Sequence, residues 1–300
     1  MTRVLVTGAS GFIGSHLCAE LVAGGHTVRA MTRRPDDYAG AGEPIAGDVS
    51  DPDSLEPGLA GADAAYYLVH ALGSDDFVER DAEAARAFGE AAARAGVGQL
   101  IYLGGLGVDD GRLSDHLRSR REVEGLLAGG GVPVTTLRAA IVIGHDGISW
   151  ELTRQLAQRL PAMITPAWVS TRTQPIALVD MIRYLVGVLG RPETYGSAYD
   201  VGGPEVLSYG EMLRRVAKII DGRPLPMLPV PLLTPRLSSA WLQLITDVDP
   251  VTARNLIGSM SNEVVVRDDR IRRLIPGDQL GYDDAVRAAL IDCRRAGESW

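Results

Sequence analysis

Residues 8–14 read Gly-Ala-Ser-Gly-Phe-Ile-Gly, and no other stretch constrains the chain as much. The β-branched run Arg3–Thr7 precedes them, and Phe12–Ala23 follows with helical spacing that ends at Gly24-Gly25. A strand turning sharply into a helix needs glycine where φ is positive. A second glycine lets the backbone approach a pyrophosphate, and a third allows close helix–strand packing. The helix N-terminus then meets an anion with free N–H groups and a favourable dipole. Gly8, Ser10, Gly11, Phe12, Ile13 and Gly14 are therefore candidate dinucleotide contacts. A turn with incidental glycines is the competing reading, and the strand–loop–helix context speaks against it.

Strand-like and helix-like segments alternate beyond this loop. Thr27–Thr32, Pro44–Gly47, Ala64–Val69, Gln99–Leu103 and Val134–Leu137 read as strands. Asp75–Gly96 and Ser114–Leu127 read as helices, with Ser114 as an N-cap. This order predicts an α/β chain with a doubly wound parallel sheet. Continuous apolar strands fit a sheet covered on both faces. The alternation stops near residue 145. We expect residues 1–144 to form a Rossmann dinucleotide-binding core. Residues 145–300 should form a smaller mixed region, a substrate cap that returns strands such as Gln174–Leu178 and Ala198–Val201 to the core. The Pro-rich stretch Arg223–Pro235 reads as an ordered loop.

The end of the second strand selects the cofactor. An NAD site wants an acid about 20 residues beyond the glycines, to accept from the ribose 2′-OH. This chain has Thr32-Arg33-Arg34 there. A guanidinium fork suits a 2′-phosphate, so the expected cofactor is NADP(H), with Arg33 as the phosphate contact and Ser10 as an extra donor. The alternative is that Arg33 and Arg34 are surface charges before the turn at Pro35.

Composition removes other classes. The net charge of -8 argues against nucleic acid as a partner. Cys18 and Cys293 match no metal spacing, and with no signal-like start a cytoplasmic setting is expected. No apolar run approaches a membrane span of ~20 residues; Pro226, Pro229, Pro231 and Pro235 interrupt Leu225–Ile245. Lys218 is the only lysine, and the residue four before it is Arg214, so no Tyr-x-x-x-Lys pair exists.

Several motifs together resemble the short-chain dehydrogenase/reductase superfamily in its extended, atypical branch. They are the loop at 8–14, Gly47-Asp48-Val49 after the third strand, Leu68-Val69-His70 after the fourth, and the runs at 99–105, 114–127, 132–144, 174–186 and 202–213. Within that branch the chain is similar to the YbjT-like group of NAD(P)H-binding proteins, relatives of the NmrA-like and complex-I-accessory-like members. The resemblance implies that Asp48 and Val49 hold the adenine and that Leu68, Val69 and His70 lie under the nicotinamide ribose. It also implies that Gly104, Ala140 and Ile141 border the cofactor.

The same resemblance exposes a departure. The strand-five end, where the superfamily has its Ser, reads Leu103-Gly104-Gly105 here, and its Tyr and Lys positions read His116 and Arg120. His116 and Arg120 share one helical face. Histidine can move a proton near neutral pH, and arginine can hold ribose hydroxyls but cannot act as a base. The alternative is an ordinary helix start with Arg120 paired to Glu124. A third reading needs no protein acid: hydride passes to a quinone, an iminium or a cationic dye, and Gly104 and Gly105 open room for a flat ring. Substrate candidates are Gly105, beside the cofactor, and Trp150, Met163, Trp168 and Trp241, which equally suit packing of the cap against the sheet. Arg172 suits an anionic group, or a structural pairing with Asp180. His70 and His145 should flank the cofactor or the pocket mouth. The expected function is an NADP(H)-dependent oxidoreductase acting on a small apolar or aromatic acceptor. The rival is a non-catalytic NADP(H)-binding sensor or assembly factor. Helix Asp75–Gly96 offers a homodimer face by analogy.

Overall fold

A computed structural model describes residues 1–108, 111, 113–229 and 246–297. Trp241, Pro231 and Pro235 lie outside the described residues. The first half runs β1 (Arg3–Thr7), α1 (Phe12–Ala23), β2 (Thr27–Thr32), β3 (Glu43–Ala46), a short α2 (Glu56–Leu59), β4 (Ala64–Tyr67), α3 (Phe77–Arg94), β5 (Gln99–Gly105), α4 (Asp115–Gly129) and β6 (Val134–Ala139). The second half adds β7 (Val142–Ile143), α5 (Ile148–Arg159), β8 (Met163–Thr165), β9 (Arg172–Thr173), β10 (Ile176–Ala177) and α6 (Leu178–Gly187). It continues with β11 (Ala198–Val201), β12 (Leu207–Ser208), α7 (Tyr209–Asp221), β13 (Met227–Pro229) and the helices Pro250–Ser259, Arg270–Leu274 and Tyr282–Arg295.

Seven parallel strands form the central sheet in the order β11-β6-β5-β4-β1-β2-β3. The chain winds outward from β1 to β3, returns to the other side of β1 at β4, and winds outward again. Alternate residues of each strand serve opposite faces. Val4 and Val6 pack with Leu17, Leu21 and Leu185 on one side. Leu5 packs with Phe88 and Leu127 on the other. Both faces are thus covered, which accounts for the continuous apolar runs.

Two local differences from the expectations have clear causes. The run Ala64–Val69 leaves the sheet after Tyr67, because the Thr7 hydroxyl donates to the Tyr66 carbonyl (3.0 Å) and accepts from the Leu68 N–H (3.1 Å). Gln174–Leu178 is not one strand. Pro175 lacks an N–H, Ile176–Ala177 pairs with β7, and Leu178 already starts α6. Gln174 is engaged elsewhere: its side chain donates to Gly203 O (2.7 Å) and accepts from Val266 N (3.0 Å). Ser114 caps α4 by accepting from Leu117 N. Ser208 and Glu211 form a capping box on α7.

Among the described residues, no helix is long and apolar enough to cross a membrane. The same residues contain no group of three His, Cys, Asp or Glu side chains able to hold a metal ion.

Candidate functional site

Open parallel sheets bind ligands where the winding reverses, outside the carboxyl ends of the strands. Here that point lies between β1 and β4, and a cavity of about 380 Å³ occupies it. The glycine loop forms its floor. Gly8 has φ +66°, and a β-carbon there would meet the Leu68 carbonyl oxygen at 3.1 Å. A β-carbon on Gly14 would fall 2.8 Å from the Gly8 carbonyl carbon and nearer still to its oxygen. Gly11 is the N-cap of α1; no side chain caps this helix, and its first turn holds no acid. The N-terminus of α1 is therefore left with donors for an anion.

Of the predicted cofactor contacts, Gly8, Ser10, Gly11, Thr32, Arg33 and Arg34 line the cavity, and so do Asp48, Val49, Leu68, Val69 and His70. Phe12, Ile13 and Gly14 open α1 directly behind the loop. The two arginines differ. Arg34 is turned toward Asp37 at 3.8 Å, with both side chains largely exposed. Arg33 acts on Asp48. Burial pushes the Asp48 carboxyl up, but the Ser50 N–H (2.9 Å), the Ser50 hydroxyl (2.7 Å) and the charges of Arg33 and Arg80 hold it below its usual value. The glycine cradle, the uncapped helix and this charged end fit a dinucleotide.

Helix α3 supplies wall residues that the sequence reading did not name: Arg80, Asp81 and Ala84. Asp81 is 5% exposed. It accepts from Ala71 N at 2.7 Å and sits 3.4 Å from the Ser119 hydroxyl, which ties the segment after β4 to α4. Burial raises its pKa, partly opposed by Arg120 and these donors. Thr7, Met31, Gly47, Ser50, Tyr67 and Ala71 complete the wall.

His116 and Arg120 stand on α4, outside the lining of the cavity. Arg120 is buried, and its carbonyl accepts from the Tyr102 hydroxyl at 3.2 Å. It does not pair with Glu124, which is taken by Arg138 at 2.6 and 3.0 Å. Burial, and then the charge of Arg120, push the His116 imidazole down to about 3. Its Nδ1 is buried without a hydrogen-bond partner. His70 is exposed at the surface, yet packing round its ring and the charges of Arg120 and His116 lower its pKa too.

Several expectations need correction. Gly104 and Gly105 open no room for a ring. A β-carbon on Gly104 would meet Tyr102 at 3.0 Å, and one on Gly105 would meet Leu117 at 2.9 Å. These glycines let α4 and a tyrosine ring close onto β5. Neither residue lines the cavity, and neither do Ala140 and Ile141; Ile141 is buried in a hydrophobic cluster with Trp150 and Leu152, and Ala140 packs beside Leu106 and Leu117. Trp150 (0% exposed) and Trp168 (4%) are buried with Met163 in one hydrophobic cluster and do not line this cavity. Arg172 is exposed and pairs with Glu263 at 3.7 Å, whereas Asp180 pairs with Arg183 at 3.1 Å. His145 sits 3.5 Å from Asp146 and does not line the cavity.

Comparison with known proteins agrees with this picture. Residues 8–167 match the family model described as NAD(P)H-binding. An uncharacterized protein of Mycobacterium tuberculosis is 30% identical over 247 residues, covering 81% of this chain and 26% of its own length. The chain thus spans about a quarter of the mycobacterial relatives it matches. The ceramide reductase of Caulobacter vibrioides is 27% identical over 80% of this chain and 78% of its own. Among solved structures, the triphenylmethane reductase of Citrobacter sp. complexed with NADP(H) superposes with a TM-score of 0.77. It covers 96% of this chain and 99% of its own at 17% identity.

Proposed function

The chain belongs to the NAD(P)H-binding family, and on that premise we propose that it is an NADP(H)-dependent reductase of atypical short-chain type, acting on a small apolar or aromatic acceptor. When bound, the cofactor supplies the hydride. The glycine loop and the α1 N-terminus would hold its pyrophosphate, Arg33 the 2′-phosphate, Asp48 and Val49 the adenine, and Leu68, Val69 and His70 the nicotinamide ribose. Arg120 is the candidate clamp for ribose hydroxyls. One relative of comparable length is itself named a reductase.

The observation that carries the choice of acceptor is the state of His116. An imidazole held at about 3 is neutral at pH 7. It can donate a hydrogen bond through its N–H, but as a neutral imidazole it is a poor general acid. With no Tyr-x-x-x-Lys pair in the chain, acceptors that need no protein acid fit best: a quinone, an iminium or a cationic dye.

A second reading has its own support. His116 and Arg120 stand behind the cavity wall, which suits a protein that binds NADP(H) as a sensor or assembly factor. NADPH oxidation against a quinone and dye panel separates the two. Consumption above the uncatalysed rate supports the reductase. Tight NADPH binding with no turnover across the panel supports the sensor.

A further inference from the structure

The adenosine end of the cavity holds more positive charge than one 2′-phosphate contact explains. Arg33 stands at the end of β2, and Arg80 faces the same cavity from the first turn of α3. Both are exposed. Among the described residues, neither has a carboxylate within the 4.0 Å of an ion pair, in contrast to Arg34 with Asp37. Both share the cavity lining with Asp48, and both charges add to the Ser50 hydrogen bonds in lowering its pKa against burial. The space beside Asp48 is thus bounded by two guanidiniums carried on separate elements. The glycine loop already provides for the pyrophosphate, so a further anion is the group this end is built to take. Guanidiniums arriving from two directions can offer more donors to one phosphate than either alone.

We propose that Arg80 is a specificity-determining residue that closes, with Arg33, a two-armed clamp on the 2′-phosphate of NADP(H). The clamp rests on the NADP(H) reading above. Arg34, engaged by Asp37, stands outside it.

Two adenosine ligands test it, adenosine 2′,5′-bisphosphate and 5′-AMP, which differ only in the 2′-phosphate. Calorimetry would compare the wild type with Arg80→Gln, Arg80→Lys and Arg33→Gln. The wild type should prefer the bisphosphate. Arg80→Gln should weaken the bisphosphate about tenfold and leave 5′-AMP unchanged, and Arg80→Lys should recover part of the loss. If Arg80→Gln weakens both ligands alike, Arg80 holds the adenosine itself and the clamp is wrong. If it weakens neither while the wild type still discriminates, the clamp is wrong and the NADP(H) reading stands. If the wild type does not discriminate, the NADP(H) reading falls first and the clamp with it.

Discussion

Gly14 lies so close beneath Gly8 that a β-carbon on Gly14 would overlap the Gly8 carbonyl. The first turn of α1 and the end of β1 are pressed together at this point, and the loop between them owes its shape to the contact. Gly14→Ala should therefore cost about 1–3 kcal/mol of stability and abolish tight NADPH binding. Thermal unfolding and cofactor titration check both. A variant of wild-type stability and affinity would contradict the packing.

Arg33 and Arg34 are neighbours with unequal prospects. Arg33→Ala should weaken NADPH about tenfold and leave NADH unchanged. Arg34→Ala, which removes an exposed guanidinium already turned to Asp37, should change neither. Dissociation constants for both cofactors decide it; equal NADH and NADPH affinity in the wild type would remove Arg33 from the phosphate site.

Gly105 and Gly125 predict opposite outcomes for the same change. A β-carbon on Gly105 would press on Leu117 at 2.9 Å and on Arg120 at 3.4 Å, while one on Gly125 would meet nothing within 4 Å. Gly105→Ala should destabilise by about 1–3 kcal/mol and, by shifting His116 and Arg120, lower any kcat. Gly125→Ala, within α4, should stabilise by roughly 0.5–1 kcal/mol. Urea unfolding of the two variants tests the sign directly.

His116 makes stability depend on acidity. Its folded pKa of about 3 lies below the ordinary 6.5, so the unfolded chain binds the extra proton in that window. Stability must fall as pH drops from 6.5 toward 3. His116→Phe removes this contribution. From pH 7.5 to pH 5 the wild type should lose up to roughly 2 kcal/mol relative to the variant. Denaturant curves at the two pH values measure it, and a constant gap would mean a solvated ring. In an active preparation, unchanged kcat in the same variant would also remove His116 from catalysis.

The opening of the chain was legible because its signals are local. The spans of β1, α1 and β2 agree with the expectation residue for residue, since glycine, periodicity and strand composition act within a few positions. Arg33 was read from its place at a strand end and Asp48 from the family resemblance, and both line the cavity. Asp81 was missed although its period marks it. It shares a helical face with Phe77, Ala84 and Phe88, all buried, so an acid stands inside an apolar stripe. Arg80 carries no such mark, because only the fold brings the first turn of α3 to the end of β3. Gly104 and Gly105 misled for another physical reason. A missing side chain leaves space or invites a neighbour, and the partners that fill it, Tyr102 and Leu117, are known only after packing. The same holds for Trp150 and Trp168, where wall and core look alike in a sequence.

The seventh strand bears on how this protein is made. β11 comes from residues 198–201 and completes the sheet beside β6. Before it arrives, β6 is the edge of the nascent sheet, and the buried pair Gln99 and Thr135 (2.9 Å) has only part of its final set of partners. Gln99 donates to the Val188 carbonyl at 3.0 Å and accepts from Gly190 N at 2.8 Å. The Thr135 hydroxyl donates to the Thr194 carbonyl at 3.0 Å. A chain made only as far as residue 144 thus has an unfinished sheet, with β6 open to any passing strand. The sheet closes only once the chain has reached β11 at residues 198–201. A fragment cut at the end of the glycine-loop half should be drawn into inclusion bodies, whereas one reaching past residue 201 would at least carry the strand that seals it.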